Sequence, residues 1–196
     1  MNIKKATLTL IVINVIAFLV QEFSQGAFTK EFLLVSADVL IRPWTLITSM
    51  FLHGSLSHLV FNMVALFVFG PLVEKRVGKK RFLILYVTGG LLAGIGASFF
   101  YPAALGASGA IMGIAGMAIV LYPTKKILFY MVIPMPLWML GILYIAVDTF
   151  GIFFPSGTAN IAHLIGLAIG LAYGFYLRKT KEKHKYSKKF REFGIN

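Results

Sequence analysis

The chain has few charged residues, and it has no cysteine at all. Of its 196 residues, 13% are charged and 58% are hydrophobic, and the mean hydropathy is +0.82. A chain with so little polar surface cannot form a soluble globular domain, so we expect a polytopic membrane protein. The absence of cysteine leaves the redox compartment undetermined.

A cleavable signal peptide and a zinc-protease motif are also missing. The first apolar run follows Lys4 and Lys5, but no small-x-small cleavage site comes after it. We therefore expect this run to be a retained helix that acts as a signal anchor. The motif His-Glu-x-x-His does not occur either, which weakens the case for a zinc site.

Six apolar runs have about the length, ~20 residues, with which a helix crosses a bilayer. They predict an all-α polytopic membrane protein, a bundle of six transmembrane helices in one domain (residues 1–178) followed by a basic tail (residues 179–196). The runs are Thr7 to Val20, Leu56 to Val73, Phe82 to Phe100, Ser108 to Tyr122, Ile127 to Val147 and Asn160 to Leu177.

The placement of the basic residues predicts the orientation of this bundle. If the amino terminus is cytoplasmic, 17 of the 19 Lys and Arg residues fall on the inner side, and only Lys30 and Arg42 fall outside. This asymmetry follows the positive-inside rule and places both termini in the cytoplasm. We expect the basic tail from Arg178 to lie against anionic lipid headgroups rather than to bind nucleic acid.

Four polar side chains interrupt the predicted spans at a similar depth: His58, Asn62, Ser108 and His163. Counting about 1.5 Å per residue from the basic residue at the inner end of each span puts all four ~20 to ~25 Å above the inner face. The span Ser108 to Tyr122 has only 15 residues, so its outer end is expected to be sunk in the bilayer. Polar groups within a membrane are candidates for function.

Small residues on the fourth and sixth spans predict how these groups meet. They recur at helical spacing on one face of each span, and such faces let two helices approach backbone to backbone. They are Gly109, Gly113 and Gly116 on the fourth span, and Ala162, Gly166, Gly170 and Gly174 on the sixth. Packing the two faces together would bring Ser108 against His163.

A serine beside an imidazole predicts nucleophilic catalysis. The imidazole of His163 can take the proton of the Ser108 hydroxyl and so activate it. None of the seven acidic residues is expected mid-span near His163, so we expect a Ser–His dyad without a buried carboxylate. The candidate oxyanion donors are the backbone N–H of Ser108, at a helix start, and the side chains of His58 and Asn62, which share a helix face.

Three other interpretations fit parts of this pattern. A small transporter or channel would use intramembrane His and Ser to line a proton or ion path, and it would tolerate Ser108→Ala. A metal site would join His53, His58 and His163, although helical spacing places His53 above the other two. A non-catalytic protein would hold transmembrane clients without cutting them, but the serine and the histidine are both intact.

Three segments carry the polar residues, and their combination is specific. They are His53-Gly-Ser-Leu-Ser-His58-Leu-Val-Phe-Asn62, then Gly106-Ala107-Ser108-Gly109, then Ala162-His163-Leu-Ile-Gly166-Leu-Ala-Ile-Gly170. Together they resemble the rhomboid family of intramembrane serine proteases over about residues 46–177. The resemblance implies a serine endopeptidase that cleaves transmembrane segments of other membrane proteins near the outer face, without a cofactor.

The resemblance also implies a role for each site residue. Ser108 matches the nucleophile, His163 the general base, and His58 with Asn62 the oxyanion-stabilising pair. We expect the protein in the plasma membrane of a prokaryote, with the active site open to the outer face.

Other positions of the chain agree with the family pattern or depart from it. Glu74 and Gly78 match a structural motif at the inner end of the second span. The first outer loop reads Arg42-Pro43-Trp44, where the family often has Trp-Arg, which puts the usual contacts of that arginine in question. Met112 stands where the family often has an aromatic side chain packed on the base.

Two regions are expected to control access to the site. Pro134 and Pro136 fall within the predicted fifth span, and we expect them to kink this helix. The kink is either a static feature or part of a lateral gate through which a substrate helix enters. The outer segment from Asp148 to Gly157 is expected to cap the site as a loop, with Gly151 and Gly157 as hinges.

Overall fold

The computed structural model describes residues 3–129, 132–154 and 157–192, with side chains throughout except at residues 129 and 181–192. Within these ranges, four helices are long and apolar enough to cross a membrane, and two shorter apolar helices accompany them. The elements are α1 (Lys5–Phe23), α2 (Ala27–Phe32), β1 (Leu34–Val35), a 3-10 turn (Ser36–Asp38), α3 (Thr45–Thr48), a second 3-10 turn (Ser49–Phe51), α4 (Leu56–Val77), α5 (Lys79–Phe100), β2 (Ala103–Ala104), α6 (Ser108–Leu121), β3 (Lys126–Phe129), β4 (Ile133–Pro136), α7 (Leu137–Phe153) and α8 (Asn160–Glu192).

The prediction of the fifth span is wrong in its first half. The strands β3 and β4 form an antiparallel hairpin there, in which Leu128 pairs with Pro134 and Lys126 with Pro136. Proline lacks an N–H and is tolerated in edge strands but not inside a helix. The helix α7 therefore begins at Leu137, directly after the prolines, and the predicted proline kink does not occur. Residues 130 and 131 of the predicted span lie outside the described residues.

The predicted cap is also wrong in its first half, because α7 continues to Phe153. Asp148 and Gly151 are helical residues rather than parts of a loop. A Cβ added at Gly151 would lie only 2.6 Å from Nδ2 of Asn160, so this glycine allows a close approach of α7 to α8 and is not a loop hinge. Gly157 does lie outside the helices, with φ of +82°. Pro155 and Ser156 lie outside the described residues.

The short helix α6 is the centre of the bundle. Every residue from Gly109 to Val120 is buried, as expected of a helix that is apolar on all sides. The predicted packing of small residues is confirmed. A Cβ added at Gly116 would lie 2.9 Å from the backbone N of Leu171, and one at Gly170 would overlap the carbonyl oxygen of Gly113. The helices α6 and α8 therefore meet backbone to backbone at these glycines.

The carboxylate of Glu74, near the end of α4, is hydrogen-bonded to the start of α1. It accepts hydrogen bonds from the backbone N of Ala6 at 3.0 Å, and from the backbone N and Oγ1 of Thr7, both at 2.8 Å. The first N–H groups of a helix have no partner within the helix, and negative charge is favourable there. Glu74 thus has a structural role at the inner end of α4.

The segment between α1 and α4 is folded against the bundle. Its strand β1 pairs with β2, with Leu34 opposite Ala104, and Leu34 is buried. Arg42 forms an ion pair with Glu31 at 3.4 Å, and its guanidinium lies over the ring of Trp44. The loop is therefore cross-linked by its arginine, even though the order of Arg and Trp differs from the family pattern.

The last helix passes the predicted end of the membrane domain. It runs without interruption from Asn160 to Glu192, through residue 178. The division between a membrane domain and a basic tail stays a prediction, and the tail side chains from residue 181 onward lie outside the described residues.

Candidate active site

Ser108 is the first residue of α6, and Gly106, two residues before it, has a backbone conformation that other residues rarely adopt. Gly106 has φ of +123°, and its N–H donates to the carbonyl of Ser49 at 2.9 Å. A Cβ added at Gly106 would lie 2.9 Å from Nε2 of His58 and 3.7 Å from Oγ of Ser108. The imidazole and the hydroxyl therefore converge on this glycine. Ala107, the residue before α6, provides no side-chain cap for the first N–H groups of this helix, and such groups can bind a ligand.

His58 lies in the first turn of α4, where the sequence fixes its orientation. The hydroxyl of Ser55 caps the helix by accepting from the backbone N of His58 at 3.2 Å. The backbone N of Gly54 donates to Nδ1 of His58 at 3.5 Å. Because Nδ1 is an acceptor, the proton of the neutral ring belongs on Nε2, the nitrogen that faces Gly106.

Asn62 lies one turn further along α4. It is 7% exposed, and its Nδ2 has no hydrogen-bond partner among the described residues. A buried amide without a partner is costly, and in native proteins such a group can have a catalytic role or bind a water molecule. Asn62 thus offers free N–H groups at this end of the bundle.

His163, in the first turn of α8, has an unexpected carboxylate partner. Its Nδ1 lies 2.9 Å from Oδ1 of Asp148 on α7, and the two side chains are 18% and 7% exposed. The prediction that no buried carboxylate orients this histidine is wrong. The position of Asp148 at the end of an apolar run predicts an outer loop there. Its position within a continuous helix brings it inward.

The predicted site residues gather at one end of the bundle, but one predicted bond is not formed. His58 and Ser108 both face Gly106. Ser108 and Ala162, the neighbour of His163, line the same cavity. Among the described residues, no hydrogen bond joins Ser108 to His163. Catalytic hydrogen bonds are often long before substrate binds.

A small cavity adjoins Ser108. It has a volume of about 30 Å³ and is lined by small residues that include Ser49, Gly90, Ala93, Gly109 and Ala162. A space of this size with hydroxyl groups on its wall is large enough for one water molecule.

His53 is buried behind the site and is held by a residue that the sequence did not single out. The backbone N of His53 donates to Oε1 of Gln21 at 2.9 Å, and Nε2 of Gln21 donates to the carbonyl of His53 at 3.3 Å. Burial, together with the nearby charge of His58, lowers the pKa of His53 to about 4. Its ring is therefore neutral at neutral pH, and its centroid lies 5.1 Å from that of His58.

The geometry does not favour the metal interpretation. Within the described parts of the chain, no three His, Cys, Asp or Glu side chains form a group that could hold a metal ion. His53, His58 and His163 therefore do not form a ligand set here.

Comparisons with known proteins agree with the motifs. A family model described as the Rhomboid domain matches residues 41–180. Rhomboid protein 1, mitochondrial, of Saccharomyces cerevisiae is 32% identical over 170 residues, which cover 81% of this chain and 49% of the relative. Rhomboid protease GluP of Bacillus subtilis is 31% identical over 173 residues, which cover 84% of this chain and 33% of the relative.

A third relative is closer in length. Rhomboid protease GlpG of Haemophilus influenzae is 28% identical over 140 residues, 71% of this chain and 72% of the relative. The chain thus spans about half of the yeast relative and a third of GluP. The family match and the long apolar helices identify an integral membrane protein, and the predicted resemblance is confirmed: the chain belongs to the rhomboid family.

Proposed function

We propose that this chain is an intramembrane serine endopeptidase that hydrolyses peptide bonds in or near the transmembrane segments of other membrane proteins. One observation carries the proposal: Nε2 of His58 and Oγ of Ser108 converge on Gly106, at the uncapped start of the buried helix α6. The names of GluP and GlpG as rhomboid proteases support the same activity.

In this proposal Ser108 is the nucleophile and His163 is the general base. Oγ of Ser108 attacks the carbonyl carbon of the substrate while Nε2 of His163 takes the hydroxyl proton. The proton then passes to the departing amine as the C–N bond breaks, which leaves an acyl group on Ser108. In the second step Nε2 of His163 takes a proton from a water molecule, and the oxygen of this water bonds to the acyl carbon. The bond from that carbon to Oγ of Ser108 then breaks, and the proton passes from His163 to Oγ, which restores the serine. The cavity beside Ser108 is a suitable place to hold that water.

The negative charge on the attacked carbonyl oxygen needs hydrogen-bond donors. We assign this role to Nε2–H of His58, Nδ2–H of Asn62 and the backbone N–H of Ser108. The tautomer of His58 and the unpaired amide of Asn62 support this assignment. A donor of this kind contributes about 3 kcal/mol to stabilising the transition state in a site that excludes water.

The activity requires a definite orientation in the membrane. We propose that α1 and α4–α8 are six spans, that both termini are cytoplasmic, and that the site opens to the outer face. The asymmetry of the basic residues supports this topology. We further propose a membrane domain of residues 1–178, a tail of residues 179–196 at anionic headgroups, and location in a prokaryotic plasma membrane. Relatives occur both in bacteria and in mitochondria.

The test is cleavage of a tagged model transmembrane protein in liposomes. The wild type is compared with Ser108→Ala, His163→Ala and a matched control, Ser98→Ala, whose hydroxyl, among the described residues, bonds only to the carbonyl of Ile95. We expect both site variants to lose cleavage by at least about 10³-fold. We expect Ser108→Ala also to lose labelling by a fluorophosphonate and Ser98→Ala to keep both activities.

Two results would contradict the proposal. One is cleavage at the wild-type rate by Ser108→Ala. The other is a folded wild-type protein that neither cleaves several model substrates nor reacts with the fluorophosphonate. The second result would favour client binding or transport instead.

A further inference from the structure

The carboxylate of Asp148 is a buried charge with a single partner. Its Oδ1 lies 2.9 Å from Nδ1 of His163, and its side chain is only 7% exposed. In the part of the chain that the structure describes, it makes no other hydrogen bond. A buried carboxylate is unfavourable unless it is paired, so the contact with His163 is its main compensation.

The contact is built by a close approach of two helix ends. Gly151 follows Asp148 by three residues on α7, and Asn160 precedes His163 by three residues on α8. A Cβ at Gly151 would lie 2.6 Å from Nδ2 of Asn160, so the missing side chain lets the helices touch at this point. Residues three apart share a helix face, which places Asp148 and His163 opposite each other one turn away.

We propose that Asp148 is a positioning residue, which orients His163, the proposed base of Ser108. This inference rests on the proposed function. Nδ1–H of His163 donates to Asp148, and this bond leaves the lone pair of the neutral ring on Nε2. Nε2 is then the atom that takes the proton of Ser108 when the bond from Oγ to the substrate carbon forms.

The carboxylate also matters after the proton has moved. The imidazolium keeps its Nδ1–H on the ionised Asp148 and gives the Nε2 proton to the departing amine nitrogen. Asp148 itself neither gains nor loses a proton in this sequence. It acts through the orientation and the charge of His163, and it does not touch the substrate.

No other carboxylate competes for this role. Other titratable groups at this end of the bundle are His53 before α4, His58 on α4 and Tyr101 after α5. The hydroxyl of Tyr101 accepts from the backbone N of Ile161 at 3.0 Å. Among the described residues, Asp148 is the one carboxylate within hydrogen-bond distance of His163.

The test uses the full chain in detergent or liposomes and three variants of one position. Asp148→Asn keeps the shape, Asp148→Ala removes the group, and Asp148→Glu keeps the charge. The matched control Glu22→Gln removes an exposed carboxylate at the end of α1. We expect Asp148→Asn and Asp148→Ala to lower kcat by about 10²- to 10⁴-fold with little change in KM. Asp148→Glu should recover part of kcat, and the control should keep all of it.

A second measurement determines which ring nitrogen of His163 carries the proton. The chain has four histidines, so imidazole ¹⁵N signals are few, and His163→Gln assigns the relevant one. We expect the Nδ1–H tautomer of His163 in the wild type and a shift toward the Nε2–H tautomer in Asp148→Ala.

The outcomes separate this inference from the proposed function. If Asp148→Ala lowers only the melting temperature, while kcat stays within about threefold and the tautomer is unchanged, Asp148 is a structural ion-pair partner and the inference is wrong. If the wild type and Ser108→Ala are equally inactive, the proposed function fails, and a catalytic consequence of the Asp148 contact fails with it. The ¹⁵N signals then still report whether Asp148 sets the tautomer.

Discussion

At the scale of single residues, the polar groups of the site differ in whether their hydrogen bonds are already made. The ring of His58 accepts from Gly54, and the ring of His163 contacts Asp148. The Nδ2 group of Asn62, in contrast, is buried without a partner among the described residues. The first two side chains are thereby oriented in advance, while Asn62 is free to bind an incoming oxygen.

This difference predicts the effect of removing the amide of Asn62. In Asn62→Ala we expect kcat to fall by about 10²- to 10³-fold, because a donor to the oxyanion is lost. The melting temperature should change little, because no hydrogen bond within the described protein is lost. Cleavage of a model substrate and thermal unfolding in detergent measure the two effects.

The control for Asn62→Ala is Val64→Ala, since Val64 lies on the same helix and is 41% exposed. It should retain wild-type kcat. Equal kcat in Asn62→Ala and the wild type would exclude Asn62 as an oxyanion donor.

At the scale of elements, the contact between α6 and α8 holds the site together. The two helices meet through glycines, so their backbones touch and neither can rotate or slide without a clash. Ser108 begins α6 and His163 lies in the first turn of α8. The distance between the nucleophile and the proposed base therefore depends on this contact.

A methyl group at Gly170 tests the contact. In Gly170→Ala the new Cβ would overlap the carbonyl oxygen of Gly113, and such overpacking costs about 1–3 kcal/mol or more where backbone cannot move aside. We expect a lower melting temperature, and a loss of cleavage as α6 and α8 separate. Thermal unfolding in detergent and cleavage below the melting temperature measure both.

The matched control is Ala172→Val, on the exposed side of the same helix, which should melt within a few degrees of the wild type. A Gly170→Ala protein as stable as the wild type would mean that the two backbones are further apart than described.

At the scale of the whole molecule, the charge distribution and the fold make a joint prediction about topology. Basic residues flank the start of α1, the end of α4 and the start of α5, whereas His58, Ser108 and His163 lie in the first turns of α4, α6 and α8. Because the chain contains no cysteine, single cysteines can be introduced without a background signal.

We expect Lys30→Cys to react with a membrane-impermeant maleimide in intact cells, because this residue lies on the proposed outer side. Thr124→Cys, between α6 and β3, should react only after the membrane is permeabilised. Both positions are exposed to solvent in the structure, so access alone does not distinguish them. Labelling of both cysteines from the same side would contradict the six-span orientation.

The sequence alone determined the class of protein, most of the helices and the candidate catalytic residues. Long apolar runs must satisfy their backbone hydrogen bonds internally in a membrane, so composition predicts helices. The spacing of glycines predicted which faces of α6 and α8 meet. Ser108, His163, His58 and Asn62 were identifiable because polar groups in such runs are rare and costly.

Only the tertiary structure decided which groups surround His163 and how the fifth apolar run is divided. Asp148 and His163 are 15 residues apart on two helices. Whether they touch depends on where α7 ends, on the rotation of each helix, and on the close approach at Gly151. Likewise, the run from Ile127 is apolar enough for a helix. Its prolines lie instead in the hairpin of β3 and β4, because an edge strand tolerates proline and the interior of a helix does not. Such contacts depend on the mutual arrangement of whole elements, and no local pattern in the sequence records that arrangement.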